Sequence, residues 1–259
     1  MVKGLDTFRN FFVDHSQNYI LIGGAACSEL FSEEGLTFRA TRDLDIILVV
    51  EALDGNFLSH FWEFIRKGEY RDQLESQGQR KYYRFQRPED PTYPEQIELF
   101  SRNPNLLDLA VNTHLTPIPA DEEISSLSAI LMDDSYYHFT LDNSVIIEGL
   151  HLASPIALIC LKAKAFLDMK MQASQGRVDT KNIKKHKNDI IRLVTLLRND
   201  SPFTLPHQIK EDMINFTNHL EEEKPNITGI LKNLGIPPKS ITIETIIDQL
   251  INSFNLRTH

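Results

Sequence analysis

The chain has 259 residues, with 27 Lys and Arg against 36 Asp and Glu, a formal net charge of −9, and 41% hydrophobic residues. This composition excludes a disordered tail, a fibre and a bulk cationic binder of nucleic acid. The length suffices for one large or two modest domains, each with its own core. Cys27 and Cys160 lie far apart with no metal-ligand spacing, which suits a reducing compartment. Asp6, Arg9 and Asp14 interrupt the opening residues, where a secretory signal needs an unbroken apolar stretch. The longest apolar run, 156–161, falls far short of the ~20 residues of a membrane helix. A cytoplasmic protein with no membrane contact is expected.

In chain order, Phe8, Phe11, Phe12 and His15 recur at spacings of three and four and predict an amphipathic helix leading into an apolar strand at 19–22. Gly23 and Gly24 end that strand. A short helix stopped by Gly35 follows, then a buried strand over 42–50, rich in β-branched residues. A helix from about Leu58 to Gly68 precedes two further strands, 80–85 and 96–100, with the turn-forming 88–95 between them. Residues 135–141 and 144–152 are strand candidates. Ser154 and Pro155 then supply an N-cap and first-turn signal for a long helix to about Ala173. Helices near 182–199, 206–221 and 242–254 complete the chain. The expected fold class is α/β (α+β): a small mixed sheet over residues 1–150, followed by a helical domain over 151–259.

Three acid-x-acid pairs occur. Asp121 with Glu123 and Glu221 with Glu223 sit in runs of acids that read as solvated surface. Asp43 and Asp45 differ, because Leu44 lies between them and an apolar run follows, so two carboxylates share one face of an otherwise apolar strand. Desolvation and mutual repulsion both oppose ionisation of such a pair, so it calls for a compensating cation. Mg²⁺ suits hard oxygen ligands on a rigid strand and takes its remaining ligands from water and substrate phosphates. The plain alternative is a strand end at the surface, with Arg39 and Arg42 pairing the acids.

Gly23-Gly24, the one Gly-Gly in the sequence, follows a strand and opens a helix, where bare backbone and helix N–H groups can meet a phosphate. A simple strand-to-helix turn would use the same residues. Glu98, between Ile97 and Leu99, faces opposite to its apolar neighbours. It could lie beside Asp43 and Asp45, or belong to an ordinary strand with one wet face.

In this order and on these elements, the residues resemble the nucleotidyltransferase superfamily that includes DNA polymerase β. Its pattern is a strand ending in Gly-Gly or Gly-Ser, a helix, an acid-x-acid strand, and a later acid between hydrophobic residues. The segment Arg39-Ala40-Thr41-Arg42-Asp43-Leu44-Asp45 is similar to the R-x-S/T-x-D-I/L-D signature of the AbiEii-like branch of toxin and abortive-infection nucleotidyltransferases. That branch also carries a K-x-x-A motif, matched by Lys162 and Ala165. Its next motif is a basic residue followed by Asp-x-x-Asp. Asp189 fits it as the leading acid, with Asn188 and Arg192 departing from the pattern, or as the trailing acid with His186 in the leading place. Ala25 stands where many relatives carry Ser or Thr.

The resemblance implies that Asp43, Asp45 and Glu98 bind metal, two Mg²⁺ ions by expectation, and with Asp189 form the catalytic set. It implies that Gly23, Gly24, Thr41 and Lys162 bind the nucleoside triphosphate. The implied reaction transfers a nucleoside monophosphate to a hydroxyl on an RNA or tRNA end, a protein or a small molecule, with a toxin role and a cognate antitoxin as partner. Residues 162–198 carry seven Lys and three Arg against three Asp, a local excess that would favour triphosphate, although the lysines of 184–187 also read as a solvated helix face. The segment 80–85 offers aromatic and basic residues that could stack an acceptor base or serve as an ordinary strand. Two other readings share these residues: a catalytically idle nucleotide- or partner-binding member of the fold, and a phosphotransferase using the same metal site.

Overall fold

The computed structural model describes residues 2–52, 55–75, 81–101, 116–117, 130, 133–173, 180–198, 202–232, 234–237 and 240–257. The chain forms two compact units. The first comprises Met1–Glu29, Ala40–Asp121 and Leu141–Ala153; the second comprises Leu30–Arg39, Glu122–Thr140 and Ser154–His259. The second unit therefore also takes two segments from within the first 150 residues.

The first unit is built on an eight-stranded mixed sheet among the described residues. Its strands are β1 (Tyr19–Ile22), β2 (Asp43–Leu48), β3 (Asp72–Glu75), β4 (Lys81–Gln86), β5 (Gln96–Ser101), β6 (Thr116–Pro117), β7 (Ser144–Ile147) and β8 (Leu150–Ala153). They lie in the order β6-β3-β4-β5-β2-β1-β8-β7. At the centre β5 runs parallel to β2, while β4 pairs antiparallel with β5 and β1 antiparallel with β2.

Two helices, α1 (Leu5–Phe11) and α3 (Gly55–Gly68), cover one sheet face with aromatic side chains. Phe8 and Phe12 meet Phe64 at ring-centroid distances of 5.7 and 5.2 Å. Phe61 and Trp62 reach Phe85 of β4 at 5.7 and 5.8 Å. Residues register-aligned with Phe85 continue this apolar row: Ile97 and then Leu44, both fully buried. Side chains alternate along a strand, so the residues on either side of that row point to the opposite face. These are the acids of β2 and β5.

Two strand expectations are corrected. Residues 135–141 form most of a helix, α4 (Asp134–Asp142), rather than a strand. Its aromatic content favours a strand locally, but the side chain of Asp133 accepts hydrogen bonds from the N–H groups of Ser135 (2.9 Å) and Tyr136 (3.3 Å). That is a helix N-cap, and the buried Tyr136, Tyr137 and Thr140 follow helical spacing. The 144–152 candidate is two strands rather than one, because Glu148 and Gly149 both take positive φ, 46° and 81°, and form the two-residue turn of the β7–β8 hairpin. Residues 118–129, 131 and 132, also within the stretch between the sheet and the helical half, lie outside the described residues.

The remaining helices are α2 (Gly23–Glu33), α5 (Pro155–Ala173), α6 (Thr180–Val194), α7 (His207–Glu223), α8 (Thr228–Lys232) and α9 (Ile243–Phe254). In the second unit α5 packs on α6 and α7, and α9 packs on α7 and α6. Ser154 Oγ accepts from the N–H of Ala157 at the start of α5. Thr242 does the same for Thr245 at the start of α9. No helix among the described residues is long and apolar enough to cross a membrane.

Candidate active site

The parallel pairing of β2 and β5 places Asp45 directly opposite Glu98, and Asp43 opposite Gln96. The antiparallel pairing of β4 and β5 extends both rows, with Arg84 opposite Glu98 and Gln86 opposite Gln96. Two polar rows result on one sheet face: Arg84–Glu98–Asp45 and Gln86–Gln96–Asp43. Directly opposed residues in neighbouring strands are close enough for their side chains to interact, and like charges so placed are destabilising. Three of the residues expected at a metal site, Asp43, Asp45 and Glu98, are thus brought to one face of two adjacent strands.

Glu98 is buried and Asp43 and Asp45 half-buried. Burial, and then the carboxylate of Asp45, hold Glu98 well above the usual carboxylate range, with Arg84 opposing. Arg84 Nε and Nη2 donate to Glu98 Oε1 at 3.1 and 3.0 Å. Gln96 Nε2 donates to the same oxygen at 2.7 Å. Arg84 and Gln96 were not legible as site residues, although the alternation of 81–86 already sets Arg84 opposite to Tyr83 and Phe85. Of the arginines flanking the acids, Arg42 pairs with Glu95 at 3.4 Å and Arg39 pairs with Asp189.

The glycines belong to this geometry. Gly23 has φ +65°, and a Cβ added to it would fall 1.7 Å from Asp45 Oδ2, so the Asp45 carboxylate lies against bare backbone. A Cβ on Gly24 would fall 2.5 Å from Thr41 Oγ1. Both glycines stand at the N-terminus of α2, where N–H groups without intrahelical partners favour an anion. Thr41 packs on that turn.

Hard oxygen donors, one pair of them in direct repulsion, fit a divalent cation. Among the described residues no three His, Cys, Asp or Glu side chains are grouped so as to hold a metal by themselves. A cation at Asp43 and Asp45 would have to take its remaining ligands from water or a bound phosphate, as Mg²⁺ commonly does.

Asp189 and Lys162 lie in the second unit. Asp189 has no exposed side-chain surface, and each of its oxygens takes two donors. Oδ1 accepts from Arg39 Nε (2.9 Å) and Arg192 Nη1 (3.0 Å), and Oδ2 accepts from Arg39 Nη2 (2.7 Å) and Lys162 Nζ (3.3 Å). Burial pushes its pKa up, but Lys162, Arg39 and Arg192 together outweigh this and hold it well below the usual range. The guanidinium groups of Arg39 and Arg192 also lie over the Phe38 ring, at 5.2 and 5.8 Å. A carboxylate with its acceptor sites filled this way suits a permanent counter-ion. Of the acid runs, Asp121 and Glu123 lie outside the described residues, while Glu221 and Glu223 are exposed and Glu223 pairs with Lys187.

No protein-family profile matches the chain, and no curated protein matches it in sequence. Similar solved structures include protein JHP933 of Helicobacter pylori, with 14% identity and a TM-score of 0.43, covering 95% of this chain and 85% of that one. An antigenic nucleotidyltransferase-like protein from Paracoccidioides brasiliensis has 17% identity and a TM-score of 0.41, covering 88% and 93%. The Megavirus polyadenylate synthase has 12% identity and a TM-score of 0.41, covering 87% of this chain and 38% of that one.

Gly23→Ala is expected to destabilise the fold by more than the ~1–2 kcal/mol of a left-handed alanine. Gly35→Ala serves as the reference, since Gly35 has a similar φ of +67° and open space around it. In denaturant titrations, Asp45→Ala should recover part of the Gly23→Ala loss, and strictly additive losses would contradict the Asp45–Gly23 contact.

Asp189→Asn removes the counter-ion of three cations and is expected to cost about 3–5 kcal/mol. Because the folded-state pKa of Asp189 is depressed, its contribution is present above the unfolded aspartate value of ~3.9 and disappears as pH falls through the folded value. The acid limb of the wild-type stability curve should therefore flatten in Asp189→Asn, and an unchanged limb would assign the acid transition to other groups.

Proposed function

We propose that this protein is a Mg²⁺-dependent nucleotidyltransferase that moves a nucleoside monophosphate from a nucleoside triphosphate to a hydroxyl acceptor. The observation that carries the reading is the register that sets Asp45 beside Glu98, with Asp43 on the same face and Gly23 against the Asp45 carboxylate. Asp43 and Asp45 would hold Mg²⁺, with Glu98 next to them. Mg²⁺, when bound, supplies charge neutralisation to the triphosphate and to the attacking and leaving oxygens.

Gly23, Gly24 and the start of α2 would receive the phosphates on backbone N–H groups. Asp45 and Glu98 cannot both ionise easily while their repulsion is uncompensated. Glu98, in its ionised form, would accept the proton of the acceptor hydroxyl. The hydroxyl oxygen then bonds to the α-phosphorus as the bond to the bridging oxygen breaks and pyrophosphate leaves. Thr41 orients the turn. Asp189 enters no step of this mechanism and serves in the second unit as the counter-ion of Arg39, Lys162 and Arg192.

The motif from Arg39 to Asp45 supports a place near the AbiEii-like branch, and with it a toxin role, a cognate antitoxin and an RNA or tRNA end as acceptor. The net charge of −9 favours a short acceptor footprint, since phosphate contacts dominate affinity for long nucleic acids.

Incubation with α- or γ-labelled nucleoside triphosphates, Mg²⁺ and either total RNA or cell lysate tests the reading. The α label should remain on an acceptor and the γ label should not; retention of the γ label would indicate a phosphotransferase. Asp43→Asn and Asp45→Asn should each lower transfer at least 100-fold while leaving the fold intact. Absence of transfer in the wild type across both acceptor pools would leave an idle binding protein.

A further inference from the structure

Three donors converge on one oxygen of Glu98. Arg84 supplies two of them, Nε at 3.1 Å and Nη2 at 3.0 Å, and Gln96 supplies the third, Nε2 at 2.7 Å, all to Oε1. A carboxylate oxygen only accepts, so Gln96 turns its nitrogen and not its oxygen toward Glu98. Gln86, opposite Gln96 in the register, meets the other end of that amide, its Nε2 donating to Gln96 Oε1. Arg84 is itself buried to a large degree, with 13% of its side chain exposed. Its guanidinium presents two adjacent donors in a fixed plane, which a lysine ammonium cannot reproduce. All three contacts fall on the same oxygen, so they fix one end of the carboxylate.

We propose that Arg84 and Gln96 are positioning residues, which anchor Glu98 by Oε1 and so fix the orientation of its carboxylate beside Asp45 for the transfer reaction. The inference rests on the function proposed above and names residues which that reading did not use. In the balanced step, the acceptor O–H proton moves to the Glu98 carboxylate as the new O–P bond forms and the bond to pyrophosphate breaks. Arg84 and Gln96 neither gain nor lose a proton. Anchoring one oxygen limits the rotation of the carboxylate, and such orientation of a reacting group by its supporting partners carries about 10–100-fold in activity in comparable cases.

The test uses the full-length protein with Mg²⁺, α-labelled nucleoside triphosphate and the acceptor pool on which the wild type works. Arg84→Met should lower the rate at saturating nucleotide by about 10–100-fold, with the nucleotide KM changed less than about twofold. Arg84→Lys, which keeps the charge and loses the paired donors, should regain the thermal midpoint of the wild type but only a minor part of its rate. Gln96→Ala should show a severalfold loss in the same parameter and remains informative if Arg84→Met fails to fold. In a Glu98→Gln background, Arg84→Met should cause no further loss of rate. Wild-type rates in Arg84→Met or Gln96→Ala would overturn the inference while leaving the proposed function standing, as would an undiminished effect of Arg84→Met in the Glu98→Gln background. A wild type that transfers no nucleotide would overturn the proposed function and this inference with it.

Discussion

The parallel pairing of two strands that each carry an acid at the same register position constrains everything else at this site. Asp45 and Glu98 are neighbours because β2 and β5 align there, and neither can move away without breaking the central pairing of the sheet. Repulsion between a buried carboxylate and the half-buried one beside it is not a stability device. The surroundings are accordingly built to contain it: Arg84 and Gln96 on one side of Glu98, and the bare backbone of Gly23 against Asp45. A sheet chosen for stability alone would place apolar residues at these positions.

Strand alternation makes the arrangement compatible with folding. The row Phe85–Ile97–Leu44 meets α3 on one face, and the rows on either side of it send Arg84, Glu98 and Asp45, and Gln86, Gln96 and Asp43, to the other. One set of strands thus supplies both a hydrophobic core and a charged surface, with no residue asked to serve both. A one-residue slip of β5 against β2 would move Glu98 into the aromatic core and Ile97 out of it. The large burial around Phe61, Trp62 and Phe85 thereby fixes the register that the charged face requires. The aromatic core and the candidate site are two consequences of the same pairing.

Much of this was legible in the chain itself. Asp43-Leu44-Asp45 ahead of an apolar run, Glu98 between Ile97 and Leu99, and Gly23-Gly24 after an apolar strand each state their local geometry. The parallel pairing is a relation between distant segments, and local patterns do not specify it. Arg84 and Gln96 therefore could not be connected to Glu98, since their relevance depends on which strand lies beside which. The strand reading of 135–141 failed for another reason. The aromatic residues of α4 carry strand propensity, but the Asp133 cap and the burial of Tyr136, Tyr137 and Thr140 at helical intervals outweighed it. Glu148 and Gly149 broke 144–152 into a hairpin because the two-residue turn needs positive φ at both positions, and Glu is an uncommon choice for the first.

Glu98 and Asp189 show why residue type and burial do not by themselves assign a role. Both are carboxylates removed from water, and for both the largest single influence is desolvation favouring the neutral form. What separates them is the company each keeps. Glu98 has another carboxylate directly opposite, which adds to burial in raising its pKa, and one guanidinium, which opposes them. Asp189 has two guanidinium groups and an ammonium on its two oxygens, so it stays ionised across the range in which proteins function. A group whose protonation is poised against its neighbours can take part in a reaction. A group whose charge is fixed does not itself exchange a proton. Residue type and burial are alike in the two acids, and the two sets of neighbours move their pKa values in opposite directions.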